Sequence, residues 1–273
     1  MDGLLITILI VTGFLVYKMI SSSRKQEGYK RWKATGSGDT ANEETAGNKW
    51  KHGAWLRHAL GVTTPKARTY PVFDEEAVVW CAGLLGVEAV RLKEILQDVS
   101  SHYREFWIRK RKGGYRMISA PDKELKSIQD TIYHRILLPV NVHPVATGFR
   151  RQHSIVDNVR PHLGKRCVLK TDIHDFFLSI RSPRVKQTFE NIGYPKNISK
   201  VLGELCCRRR HLPQGASTSP ALSNIIAYEM DRKLAAMAEE FGLAYTRYAD
   251  DLTFSGDVFP KEQVLVRVKE IIR

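Results

Sequence analysis

Between Leu4 and Tyr17 the chain carries no charged residue, and Lys18-Met19-Ile20 extends this apolar run. With Lys18 snorkelling, residues 1–20 are long enough to cross a bilayer once as a helix. Residues 21–50 lose all apolar periodicity and are rich in Ser, Gly, Thr, Asn, Glu and Lys, which predicts a flexible, solvated linker. From Trp50 onward apolar residues return at helical spacing, so residues 51–100 read as an N-terminal helical extension, with one helix expected from Asp74 to about Gln97.

Residues 101–273 change period repeatedly. The stretch REFWIRKRKGGYRMIS predicts a hairpin, two β-rich runs around Lys112-Gly113-Gly114. Pro121-Asp122 opens a helix to about Leu138, and RCVLKTD predicts a buried strand ending at Asp172. Ser219-Pro220 predicts a serine cap with proline in the first turn, starting a helix to about Phe241. AYTRY and LTFSG predict two strands joined through Ala249-Asp250-Asp251. Strands and helices interleave without an internal repeat, which is a mixed α and β pattern.

Composition adds a partner class. Lys and Arg exceed Asp and Glu 43 to 29, a net charge of +14, which suits a polyanion or an anionic lipid surface. The four cysteines, Cys81, Cys167, Cys206 and Cys207, contain no C-x-x-C pair, so neither a zinc site nor a disulfide framework is signalled. Cys206, Cys207 and His211 lie close in sequence but lack a second ligand pair and read as packing. This usage fits a reducing cytosol. Met1-Asp2 is not the basic start of a secretory signal. Lys18, Arg24, Lys25, Lys30, Arg31 and Lys33 follow the apolar run, which predicts a single-pass anchor in the cell's inner membrane with the rest of the chain cytoplasmic; the alternative is an interfacial helix or a mis-assigned start.

Two carboxylates at the tip of a hairpin carry the chemistry. Neighbouring side chains on a strand point to opposite faces, so Asp250 and Asp251 can converge only where the chain turns. Two ionised carboxylates crowded together repel unless a cation intervenes, and magnesium prefers carboxylate oxygen plus substrate phosphate. A bare Asp-Asp pair is also a comfortable turn. However, 78 residues before Asp250 another strand, CVLKTD, ends in Asp172. Three carboxylates on two adjacent strands can hold two magnesium ions roughly 4 Å apart, a clamp for in-line phosphoryl displacement.

With Asp172 and YADD together, the chain resembles a reverse transcriptase, most closely the bacterial retron type. The resemblance spans Tyr103 to Gly256 and rests on five blocks in order. These are YREFWIRKRKGGYRMISAPDKELKSIQDTIYHRIL, ATGFRRQHSIVDNVRPH, LKTDIHDFFLSI, LPQGASTSPALSN and YADD. Two departures are visible. Gln152 stands where the family often has glycine, and the retron Asn-Ala-x-x-His signature reads Asn158-Val159-Arg160-Pro161-His162.

The resemblance implies an α+β right-hand polymerase, with fingers and an antiparallel palm sheet backed by helices over residues 101–273. The chain ends at Arg273, ahead of the thumb that the family places after the palm. The implied metal ligands are Asp172, Asp250 and Asp251, with the backbone carbonyl of Ile173. Arg116 is implied to reach the triphosphate, Phe177 to exclude a ribose 2′-hydroxyl, and Gln214 and Gly215 to lie beneath the incoming deoxynucleotide. Phe176 is the alternative to Phe177. Arg109, Lys110, Arg111, Lys112, Arg150 and Arg151 are expected on nucleic acid; Arg208, Arg209 and Arg210 either follow its backbone or are simply exposed.

The implied activity is RNA-directed DNA synthesis. An RNA template and its RNA–DNA duplex would be partners, with a cognate non-coding RNA copied for antiphage defence and an unidentified effector. Its rivals are a group II intron-like or other defence-associated reverse transcriptase, and a non-catalytic, membrane-tethered RNA-binding fragment.

Overall fold

The computed structural model describes residues 72–109 and 114–272. The expected anchor, the linker and the extension as far as residue 71 lie outside the described residues, as do Lys110, Arg111 and Lys112. Among the described residues no helix is long and apolar enough to cross a membrane.

The segment expected as one helix from Asp74 to Gln97 is two, α1 (Glu75–Leu85) and α2 (Ala89–Gln97). Asp74 caps α1 by accepting from the Glu76 N–H, and Glu75 and Glu76 favour its positive N-terminal end. Gly86 closes it at φ 71°, a left-handed stop that a continuous apolar pattern hides.

Strands β1 (Tyr103–Arg109) and β2 (Tyr115–Pro121) pair antiparallel from Tyr103 opposite Pro121 to Arg109 opposite Tyr115. Helix α3 (Lys123–Ile132) follows, with Asp122 accepting from the Leu125 N–H at 2.8 Å, and passes into a π-helical turn at Tyr133–Leu137. Short helix α4 (Ile155–Val159) opens on a capping box between Ser154 and Asp157. Strand β3 (Cys167–Asp172) leads to the one-turn α5 (Phe176–Ser179), then α6 (Ser182–Ile192) and α7 (Lys196–Leu205).

The helix expected from Ser219 to Phe241 is also divided, into α8 (Ser219–Ile226) and α9 (Tyr228–Glu240), meeting at Ala227. Thr218, not Ser219, is its N-cap residue, and no side-chain cap bond forms there. Strands β4 (Ala244–Tyr248) and β5 (Asp251–Gly256) and helix α10 (Lys261–Ile272) complete the fold.

The three-stranded sheet runs β3-β5-β4, antiparallel throughout. Tyr245, Leu252 and Phe254 turn to one face and join Leu234, Met237, Ala238, Val264 and Val268 of α9 and α10 in a closed core. Burying each Leu, Phe, Met or Val of this set contributes about 1.5–3 kcal/mol. β3 differs from expectation: it is an edge strand, and Val168, Lys170 and Asp172 are exposed. The apolar run Cys167-Val168-Leu169 marks a strand but not whether a second neighbour covers it.

Candidate active site

The register of β3 and β5 sets the site. Asp172 lies directly opposite Asp251, and Tyr248 of β4 lies opposite Asp251 on its other side. Opposed residues of an antiparallel pair share a face with Cβ atoms about 4.5–5.5 Å apart. Asp172, Asp251, Lys170, Thr253 and Tyr248 therefore stand on the face away from the core. Ala249 turns the hairpin at φ 59° and is buried, and the Ile173 N–H donates to the Asp250 carbonyl at 2.9 Å. That bond carries the β3–β5 pairing one step past the strands and holds the chain after Asp172 against the Asp-Asp turn. The three acids are brought to one end of one sheet.

The donor set is all hard oxygen, the chemistry that suits a divalent cation such as magnesium. The Lys170 ammonium already lies 3.0 Å from Asp251 Oδ2, a positive charge against this carboxylate. Among the described residues no three Asp, Glu, His or Cys side chains are drawn together as a preformed cage. The backbone brings the ligands within reach of one another; the side-chain cage is not closed.

The two phenylalanines divide. Phe176 is buried beneath the Arg247 guanidinium, 5.7 Å from its ring centroid, whereas Phe177 is half-buried with its ring centroid 6.1 Å from that of Phe149. The Gln214 carbonyl accepts from the Ser119 N–H at 2.8 Å, docking this loop on β2. Gly215 has φ 129°, and a Cβ there would meet the Ser119 carbonyl oxygen at 2.8 Å. The close approach that requires glycine is thus an approach to β2.

On the hairpin, Arg116 opposes Ile108, and both Arg109 and Arg116 are exposed. Trp107 and Tyr115 were not singled out from sequence; they are 66% and 65% exposed and share a face with Arg109. Exposed aromatics interleaved with arginine can stack bases and neutralise phosphates. Arg150 turns inward to the carbonyls of Ala146 and Pro144, while Arg151 is exposed. Neither reading of Arg208 holds. Its side chain is 9% exposed, ion-paired to Glu105 and hydrogen-bonded to Ser119. Cys206 and Cys207 are buried, and His211 Nδ1 faces the Leu178 carbonyl.

One departure from the family pattern and one retained residue of the retron signature find a place. Gln152 sits at φ 61°, the backbone conformation that glycine enters without strain. His162 bridges two strands of the sheet, with Nδ1 2.6 Å from Ser255 Oγ and Nε2 2.8 Å from Thr246 Oγ1. Because the Thr246 hydroxyl donates to the Asn158 carbonyl at 3.3 Å, it accepts from Nε2–H, and Nδ1 is left to accept from Ser255.

Burial lowers the His162 pKa from the ordinary 6.5. The unfolded chain binds the extra proton more readily, so the stability from neutral His162 is present above 6.5 and declines as pH falls below it. Thermal melts between about pH 5 and 7.5 should show this decline, and His162→Gln, which does not titrate, should flatten it.

Aspartates paired across one end of an antiparallel sheet are the arrangement expected of a polymerase palm. Residues 108–272 match the family described as reverse transcriptase (RNA-dependent DNA polymerase), and the chain belongs to that family. Within the family its resemblance is to the bacterial retron type. It is 37% identical to the retron Ec86 reverse transcriptase of Escherichia coli, over 65% of this chain and 55% of that protein. It is 39% identical to the retron Mx65 reverse transcriptase of Myxococcus xanthus, over 57% and 41%. Against the retron Mx162 reverse transcriptase of the same organism identity is 32%, over 85% and 52%. The chain spans about half the length of the curated relatives it matches. Among solved structures, telomerase from Candida albicans aligns over 62% of this chain and 39% of its own at 13% identity and a TM-score of 0.42, a likeness too loose to add weight.

Proposed function

We propose that this chain is the fingers and palm of a retron reverse transcriptase, extending a primer 3′-hydroxyl with deoxynucleotides on an RNA template, its own non-coding RNA. The observation that carries the reading is the register that sets Asp172 opposite Asp251, with Asp250 bonded through its backbone to Ile173. Asp172, Asp250 and Asp251, with the Ile173 carbonyl, would hold two magnesium ions, which when bound supply charge neutralisation at the attacking and leaving oxygens.

The chain's own groups do the rest. Asp251, now facing the Lys170 ammonium, would turn to a divalent cation in its place. Arg116, on an exposed strand, offers a planar fork to the triphosphate. Phe177, braced by Phe149, stands where a 2′-hydroxyl is excluded. Gln214 and Gly215 form the floor of the nucleotide pocket by anchoring their loop on β2. Arg109 and Arg151 line the nucleic-acid path, joined by Trp107 and Tyr115 as stacking surfaces, and the charge of Lys110, Arg111 and Lys112 supports the same contact from sequence. Arg150, turned onto the Ala146 and Pro144 carbonyls, would have to leave them to join it.

Given a primed RNA template, four deoxynucleotides and magnesium, the chain should lengthen the primer. Phe177→Ala should begin to accept ribonucleotides that the wild type rejects. A wild type that adds no nucleotide would contradict the reading.

We extend the proposal to residues 1–20 as a single-pass anchor in the inner membrane, keeping the polymerase in the cytoplasm. The uncharged run and the basic residues after it support this. Full-length chain should pellet with membranes and a chain lacking residues 1–20 should not; a wholly soluble full-length chain would remove the anchor.

A further inference from the structure

Arg247 lies on the core-facing side of β4, opposite Leu252 and fully buried, an expensive place for a charge. Its compensation is complete. Nε donates to Asp231 Oδ1 at 2.8 Å and Nη2 to Asp231 Oδ2 at 2.6 Å, and Asp231 is itself fully buried on α9. Tyr245 adds a third bond to that carboxylate at 3.0 Å.

The remaining nitrogen does something else. Nη1 donates both to Asn224 Oδ1 on α8, at 3.0 Å, and to the carbonyl of Ala249, at 2.9 Å. Ala249 is the left-handed residue immediately before Asp250. Asn224 in turn donates to the Gly148 carbonyl at 2.9 Å, and Gly148 packs so closely on the turn that a Cβ there would meet the Ala249 nitrogen at 2.7 Å. The backbone of Arg247 continues the linkage, donating to Val145 and accepting from Thr147. One guanidinium therefore ties α9, α8, the 145–149 loop and the carboxylate turn together.

We propose that Arg247 is a positioning residue for the catalytic turn, with Asp231 as its counterion: it fixes the Ala249 peptide and thereby the direction in which Asp250 and Asp251 project. This rests on the polymerase reading for its consequence but not for its geometry. A merely structural ion pair could be replaced by apolar residues of similar volume without loss, because such replacements are often neutral for stability. A positioning pair could not, since a displacement of about 1 Å can cost on the order of 100-fold in rate.

The test is the double variant Arg247→Met/Asp231→Leu, which leaves no orphaned charge, beside the single variant Arg247→Lys, which keeps the charge but loses the fork. Amide hydrogen exchange is read at Ile173, whose N–H bonds to the Asp250 carbonyl, and at Phe254 within the β5 ladder as an internal control. Both variants should exchange at least about tenfold faster at Ile173 with Phe254 unchanged. Primer extension should fall about 100-fold in kcat with KM for deoxynucleotide within a few fold. Should the double variant not fold, Arg247→Lys alone decides by the same two readouts. Unchanged Ile173 protection and wild-type kcat would overturn the proposal. A wild type that extends no primer, with Ile173 exchange still accelerated in the variants, would instead sink the polymerase reading and leave the clamp standing.

Discussion

Asp251→Asn should reduce magnesium-dependent primer extension by about a thousandfold or more while leaving the fold intact. Asp251 is the middle member of a row across the sheet, opposite Asp172 on one side and Tyr248 on the other. Its carboxylate is the one already facing a cation, the Lys170 ammonium. An amide keeps the shape but removes the charge, so the divalent ions that these carboxylates would hold lose one anionic ligand. Metal stabilisation of a phosphoryl-transfer transition state is worth several kcal/mol, and each 1.36 kcal/mol is tenfold in rate. Stability should move little, because this face is away from the core and an exposed ion pair contributes about 0–1 kcal/mol. Primer extension and a thermal melt on the same preparation check both halves; a variant with ordinary extension would show that Asp251 is only a turn residue.

The second large effect is expected at Gly148→Ala. The added methyl would meet backbone, the Ala249 nitrogen at 2.7 Å and the Tyr248 carbonyl carbon and Cα at 3.2 Å. Backbone cannot rotate aside as a side-chain end can. The 145–149 loop, which bonds to β4 through Val145 and Thr147, must move away from the turn or the turn must move away from it. Overpacking of this kind costs about 1–3 kcal/mol. For a chain of this size each kcal/mol lowers Tm by about 2–4 °C. The larger loss should be catalytic, on the order of 100-fold, since the displaced Tyr248–Ala249 peptide leads directly into the turn that carries Asp250. Extension measured well below the variant's Tm separates the two, and near-normal activity there would mean the turn tolerates the shift.

Gly203 offers a useful contrast. A Cβ there would also come close, 2.6 Å from Lys186 Cγ, but that clash falls between α6 and α7 and not at the carboxylate turn. Gly203→Ala should leave extension unchanged.

Much of this site was legible in the chain because its signals are local. The alternation in AYTRY and LTFSG marks two strands, and the aspartates between them mark a turn whose ends are fixed by period two. The strand ending at Asp172 was equally visible. That it is an exposed edge was not, since the sequence of one strand does not report how many neighbours it has. Gly86 and Ala227 divide helices whose apolar spacing runs on undisturbed across the break, so the hydrophobic pattern predicted one helix where there are two.

Other features depend on partners distant in the chain. Gly215 was readable as a position needing glycine, but its neighbour Ser119 belongs to β2. Arg208 read, with Arg209 and Arg210, as following nucleic acid or as simply exposed until the fold placed Glu105 beside it. Arg247 did leave a trace: it shares parity with Tyr245 on the core-facing side of β4, and a charge there requires a buried partner. Nothing in the spacing names Asp231 as that partner. His162 likewise gained its place only when Thr246 and Ser255 were aligned by the sheet.

The central claim is that Asp172, distant in sequence from the Asp-Asp turn, shares divalent ions with it. Manganese titration followed by electron paramagnetic resonance tests this without requiring turnover. The account predicts bound manganese in the wild type and a comparable loss of that binding in Asp172→Asn and Asp251→Asn, each still folded. Manganese binding that survives Asp172→Asn undiminished would contradict it.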